Sequence, residues 1–331
     1  MDQFTAHLDR GWDLAQRGDA AGAESSARSA LELDSSSPEA HNLLGYAAAL
    51  RGDYDEALEF YRQAISLDDT FLEAMLNAAE LCVFPLGEFE AALSFCDEAL
   101  ELVEGDEELT DTLLLQVDAC LGLGREDDAK LILSKIPSPP FSNPVHAFLV
   151  GRAHFELGQF KEAELTLEDA CRRDPFNPEA HYSLGLLLDE RGETRSATES
   201  FLRAHHLETE LLPSPWALSR DAFQELVRGV VEALNPRLRT LLDPTEVYVA
   251  LLPGIEMIVE GADPRTPVLI DQLEGGGPSL RLFVYQRNIE RLAGGVERLE
   301  EEVQAAVERE LAGTLFGEDH DGESHGPHGL N

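Results

Sequence analysis

Lysine is nearly absent from this 331-residue chain: Lys130, Lys135 and Lys161 are the whole supply, and lysine and arginine together number 25 against 64 aspartates and glutamates. A formal charge of −39 repels nucleic-acid phosphates and anionic lipid, so binding to either is disfavoured. Long apolar runs are missing too. No stretch approaches the ~20 residues needed to cross a bilayer, and the opening Met1-Asp2-Gln3-Phe4-Thr5 lacks a basic region followed by an apolar one. These absences predict a cytoplasmic protein with no membrane partner. Cysteine is sparse, and Cys82, Cys96, Cys120 and Cys171 match neither a zinc knuckle nor a CxxC redox pair. They are expected to be small core residues in a reducing compartment. What remains, 43% hydrophobic residues in a chain of this length, is ample for about two domains.

Against that background one pattern stands out. A glycine is followed five residues later by an alanine six times: Gly18/Ala23, Gly52/Ala57, Gly87/Ala92, Gly124/Ala129, Gly158/Ala163 and Gly192/Ala197, with glycines spaced 34, 35, 37, 34 and 34 apart. Glycine ends a helix in the left-handed conformation at little cost, and a small alanine lets the next helix pack closely on the last. The period therefore predicts six stacked helix–turn–helix units. Leu44-Gly45, Val150-Gly151 and Leu184-Gly185 sit midway along first helices; Tyr61, Leu167 and Phe201 follow the ladder alanines by four residues. Pro38, Pro144, Pro175 and Pro178 mark unit boundaries. One extra residue enters near Phe84-Pro85, and the fourth unit ends early at Ser138-Pro139-Pro140.

These residues resemble the tetratricopeptide repeat over residues 4–207, matching its Leu-Gly, its Ala-x3-aromatic and its closing proline in most copies. The resemblance implies a protein-binding solenoid whose concave face is lined by first-helix residues: Trp12, Asn42, Tyr46, Phe148, Arg152, Tyr182 and Leu186. Any of these aromatics can equally be inter-repeat core. The family's usual tryptophan is replaced by His7, His41 and His181, which read as packing or surface residues, in separate repeats and too far apart to share a metal. The lysine clamp some members use for a C-terminal carboxylate has no counterpart, because the three lysines lie in or near second helices. The repeats carry 43 acids against 15 bases, residues 213–331 carry 21 against 10. The stretch Asp97–Asp111, with eight carboxylates, is the densest local candidate for attracting a cation. A basic protein or peptide is one reading of that charge; a solvated, solubility-giving face is the other.

After Leu207 the period vanishes, and Leu212-Pro213-Ser214-Pro215 reads as a linker. Ser219 caps a helix carrying Phe223, Leu226, Val227, Val230, Val231 and Leu234, stopped by Asn235-Pro236. Strands are expected over 246–252 and 280–285, with a further short one between Gly254 and Pro278, then helices near 287–293 and 296–315. The result is a small α+β domain.

The series Phe223-x-x-Leu226-Val227, Val247-x-Val249, Pro253, Pro267-x-Leu269, Leu282-x-x-Tyr285-Gln286-Arg287-Asn288-Ile289-Glu290-Arg291 and Glu302-Val303 resembles the bacterial zincin-like metallopeptidase family. That family's last helix carries HExxH, whose histidines bind zinc and whose glutamate activates water. The matching segment here is Arg309-Glu310-Leu311-Ala312-Gly313: Glu310 is present, but arginine and glycine take the histidine positions. Guanidinium has no lone pair to coordinate a metal and its charge repels one.

The sequence thus predicts an all-α tetratricopeptide solenoid (1–212), a small α+β zincin-like domain (213–316) and a disordered His/Gly-rich tail (317–331). The leading expectation is a scaffold with a pseudo-peptidase domain, a protein or peptide partner, no cofactor, and Glu310 as a vestige. One alternative is an active zinc peptidase in which the tail histidines His320, His325 and His328 supply metal ligands; another is a decoy that regulates a true peptidase.

Overall fold

The computed structural model describes residues 2–240, 242–272 and 280–316. The chain forms two compact units, Met1–Arg173 and Asp174–Asn331.

The first unit is five helical hairpins: α1 (Gln3–Gln16) with α2 (Ala20–Leu33), α3 (Pro38–Arg51) with α4 (Tyr54–Leu67), α5 (Leu72–Leu81) with α6 (Phe89–Leu100), α7 (Asp106–Gly122) with α8 (Glu126–Leu133), and α9 (Pro144–Glu156) with α10 (Phe160–Arg173). Their starts are written in short polar residues. The side chains of Asp2, Asp19, Ser37 and Asn143 accept from backbone N–H groups of the first turn, and proline occupies the first helical position after Ser37 and Asn143. Their ends are the repeat glycines. Gly18, Gly52, Gly87, Gly124 and Gly158 have φ between +65° and +82°, where any other residue would be strained.

The mid-helix glycines serve a different need. A Cβ on Gly45 would stand 2.5 Å from the Tyr61 ring, so the absent side chain is the socket that seats the aromatic of the second helix. Tyr61 and the ladder alanines Ala23, Ala57, Ala92, Ala129 and Ala163 are 2% exposed or less. Leu-Gly in one helix and an aromatic four residues past the alanine in the next are thus two halves of one contact.

The extra residue of the third unit is absorbed after α5 as a turn of π-helix, Cys82–Leu86, containing Pro85. The short fourth unit appears as α8, which is only 8 residues long. Cys82, Cys96 and Cys120 are buried, and none of the four cysteines is in a disulfide. Burial pushes the Cys82 thiol up to about 11 and that of Cys96 up to about 12, which keeps both protonated and unreactive near neutrality.

The second unit opens with the sixth hairpin, α11 (Pro178–Glu190) and α12 (Thr194–Glu210), with Asn177 capping, Gly192 at φ +73° and Gly185 seating Phe201. There follow α13 (Arg220–Ala233), α14 (Pro236–Arg239), β1 (Leu242–Ala250), α15 (Ile255–Val259), β2 (Val268–Gln272), β3 (Leu280–Tyr285), α16 (Gln286–Ala293), a 3-10 turn (Val296–Arg298) and α17 (Leu299–Phe316). The sheet runs β1-β3-β2, with β1 parallel to β3 (Val247 opposite Leu282) and β2 antiparallel to it (Val268 opposite Val284). Alternation sends Leu280, Leu282 and Val284 of β3 into a core shared with Phe223, Val227 and Val230 of α13 and Val303, Val307 and Leu311 of α17.

Sequence periodicity places the strands and the long helices of this domain within a few residues. Two short helices, α14 and α15, fall in stretches that carry no helical period. The sixth hairpin lies in the second unit, where His205 and Glu208 of α12 are bonded to residues 253–291.

Gly45→Ala is expected to destabilise the first unit by about 1–2 kcal/mol, overpacking at the Tyr61 ring outweighing the gain in helix propensity. Denaturant unfolding of the variant alone and in a Tyr61→Leu background checks this: the penalty shrinks in the second case if Tyr61 is the obstruction.

Candidate functional site

Five of the seven residues expected to face a partner lie in the first unit. Trp12 of α1 and Tyr46 of α3 are half-buried and meet edge to face, with ring centroids 5.4 Å apart. Asn42 differs from expectation. It is fully buried, its amide donates to Glu73 Oε1 at 3.1 Å, and its carbonyl oxygen accepts from Asn77 Nδ2 at 3.0 Å. Asn42 is therefore a polar strut between α3 and α5, and a buried polar group of this kind has to be bonded. Phe148 in α9 is half-buried. Arg152, one turn on, lies 3.4 Å from Asp118 and 3.4 Å from Glu156. Desolvation raises the pKa of both carboxyls while Arg152 opposes the rise.

Around Tyr46 the surface is concave. A pocket of about 280 Å³ is lined by Tyr46 and Leu50 of α3, Asn77 and Glu80 of α5, and Phe84 and Pro85 of the π-turn. Phe84 is 57% exposed and Leu50 is 42% exposed, although both are apolar. Glu80 sits at the rim, and its carboxyl is raised first by desolvation and then by the charge of Asp111. Among the described residues no lysine or arginine pairs with it. An exposed carboxylate with a raised pKa beside exposed Phe84 and Leu50 is a candidate for a binding site.

The sign of that cost is testable. The folded pKa of Glu80 exceeds the unfolded one, so its ionised form penalises folding at neutral pH, and the penalty fades as pH falls through the carboxylate range. Glu80→Gln is expected to leave the thermal midpoint at pH 7 unchanged or higher, the difference from the parent closing below about pH 4. A fall in the midpoint at pH 7 contradicts it.

In the second unit, Tyr182 and Leu186 project from α11; Leu186 is half-buried, and Tyr182 is not open to a partner as expected. Tyr182 is 7% exposed, its hydroxyl donates to Asp263 Oδ2 at 2.9 Å, and its ring lies 3.9 Å beneath the guanidinium carbon of Arg265. Leu186 packs into the same cluster, which Ile258 of α15 completes. Arg265 forms a fork on Glu179, at 2.7 and 2.6 Å, and donates to Glu208 Oε1 from Nε and Nη2 at 3.0 and 2.7 Å; Arg291 reaches the same oxygen at 2.7 Å. Glu208 is 1% exposed. Arg287 donates to the carbonyls of Glu208 and Leu211, and His205 Nε2 lies 2.9 Å from the Pro253 carbonyl. The aromatic face that would read a partner in this repeat is thus filled in cis by an arginine.

Sequence reading misses this cluster, yet a trace of it was there. Phe201, Ala204, His205 and Glu208 follow an i, i+3, i+4, i+7 apolar stripe of α12 with an acid in its last slot. A charge on a buried stripe asks for a partner, though not which one.

The terminal helix α17 carries Glu310 half-buried, with desolvation raising its carboxyl, between exposed Arg309 and exposed Gly313. A side chain at Gly313 would meet nothing within 4 Å. Arginine and glycine supply no lone pair at the two positions where a zinc helix needs imidazoles, and among the described residues no group of three His, Cys, Asp or Glu side chains could hold a metal ion. These residues do not fit a catalytic zinc. The tail histidines His320, His325 and His328 lie outside the described residues. Among the described residues no helix is long and apolar enough to cross a membrane.

Comparison with known proteins agrees with the hairpin geometry. The family model for the tetratricopeptide repeat matches residues 8–70 and 149–205, and the chain carries tetratricopeptide repeats. It is 26% identical over 240 residues to Superkiller complex protein 3 of Mus musculus, covering 70% of this chain and 15% of that protein. It is 26% identical over 162 residues to DnaJ homolog subfamily C member 7 of Mus musculus, covering 46% and 33%. The chain therefore spans a third or less of the curated relatives it matches. A solved structure of Pseudomonas aeruginosa pilF shares the fold with a TM-score of 0.54 at 19% identity, over 63% of this chain and 93% of that one. Tetratricopeptide-repeat proteins are in general non-enzymatic scaffolds that bind proteins or peptides.

Removing Arg265 leaves the buried Glu208 with Arg291 alone as its cation among the described residues. Arg265→Ala is expected to cost the second unit about 2–3 kcal/mol, less than a buried charge left with no partner. The chain has two tryptophans, so in a Trp12→Phe background the fluorescence of Trp216 during denaturation reports this unit alone.

Proposed function

We propose that this protein is a non-catalytic interaction scaffold, in which the first unit captures a protein or peptide and the C-terminal α+β domain is a degenerate zincin-like fold without hydrolytic activity. The observation that carries the first half is the conjunction of hairpin repeats with a pocket edged by exposed Phe84, Leu50 and unneutralised Glu80. The second half rests on the chemistry of α17, where Arg309 and Gly313 flank Glu310. The acidic excess of the repeats favours a basic partner, since complementary charge raises encounter rates. Four cysteines outside any disulfide suit a cytoplasmic, reducing setting. In this reading the sixth hairpin is a docking base for the α+β domain and takes no partner.

Metal content decides between scaffold and enzyme. Purified untagged protein is expected to hold well under one zinc per chain and to leave peptide substrates uncleaved. Stoichiometric zinc together with cleavage that disappears in Glu310→Gln would establish a peptidase in its place.

A further inference from the structure

The arginine seated inside the second unit shows what this sequence does with an aromatic ring beside carboxylates. Arg265 sits over the Tyr182 ring, forks onto Glu179 and also donates to Glu208. Ring, fork and second carboxylate are the components of a guanidinium site. The Tyr46 pocket of the first unit offers the same chemistry without an occupant from its own chain: a half-buried tyrosine ring and a rim carboxylate, Glu80, that no basic residue pairs with among the described residues, with Asp111, itself bonded to His146, near enough to raise it.

The pocket also has an apolar wall that the Arg265 site lacks. The π-turn, made by the one residue added to the repeat period, turns Phe84 outward beside Leu50, and the two are exposed on the same rim as Glu80. Its volume of about 280 Å³ is near the lower bound of ~300 Å³ for small-molecule sites, room for one or two side chains rather than a whole cofactor. The repeats' excess of 43 acids over 15 bases selects the sign of the ligand.

We propose that the pocket at the π-turn is a peptide-docking site for a segment carrying an arginine next to an aromatic or aliphatic residue, the guanidinium settling against Tyr46 and Glu80 and the apolar side chain against Phe84 and Leu50. This rests on the scaffold reading and narrows it to one surface and one ligand chemistry.

The test uses the full-length protein and a random decapeptide display library. Selected peptides are synthesised and their affinities measured by calorimetry against the parent, Glu80→Gln and Phe84→Ala, each variant first checked for unchanged helicity. The expected result is a consensus of arginine beside an aromatic or aliphatic residue, with affinity falling about tenfold or more in each variant and on replacing the arginine by its neutral isostere citrulline. Peptides that lack a basic residue, or that bind both variants as tightly as the parent, overturn the pocket while leaving the scaffold reading intact. Scrambled peptides binding equally well, with affinity lost at high salt, reduce the effect to charge alone and also overturn it. A library that yields no binder counts against both readings.

Discussion

The glycine at the middle of α3, α9 and α11 is the constraint on which those repeats depend. A lone helical hairpin cannot bury its apolar stripe, so it is stable only when its helices approach closely enough to stack on the next pair. Gly45 against Tyr61, Gly151 against Leu167 and Gly185 against Phe201 set that approach. The turn glycines, all at positive φ, then return the chain at the right place for the ladder alanine to pack at near-zero exposure. Because these contacts take up the second helices, the outward-facing positions of the first helices carry little structural duty. They are free to hold residues such as Glu80 and Phe84 whose placement favours binding over stability.

In the second unit one face of the α11–α12 hairpin is covered by the α+β domain through Ile258 and the Arg265 cluster. The coupling is ionic where it might have been purely apolar. Buried ion pairs add little net stability but penalise every misaligned arrangement, since any shift strands a charge. A fork on Glu179, a shared oxygen on Glu208 and a ring beneath the guanidinium allow one register of the domain on its hairpin.

Periodic features were legible in the sequence because each has a local cause. The six glycines, the boundary prolines Pro38, Pro144 and Pro178 that open first helices, the capping Ser219, and the β-rich runs that became β1 and β3 are all read from a few adjacent residues. The added residue near Phe84 was visible as a count, and its form as a π-turn follows from keeping the glycine in phase. What escaped depended on pairing across long separations. Asn42 looked like a groove residue until Glu73 and Asn77 claimed it, and Tyr182 until Asp263 and Arg265 did. Nothing near Arg265 in the chain indicates that it meets residues 57 and 86 positions earlier.

The central claim is that this protein works by holding another polypeptide on the first-helix side of its first unit. Hydrogen exchange read by mass spectrometry, on the full chain with and without a saturating basic peptide binder, tests it most directly. The account predicts protection concentrated in α3, α5 and the Cys82–Leu86 turn. Protection confined to residues 220–316, with those helices unchanged, would contradict it.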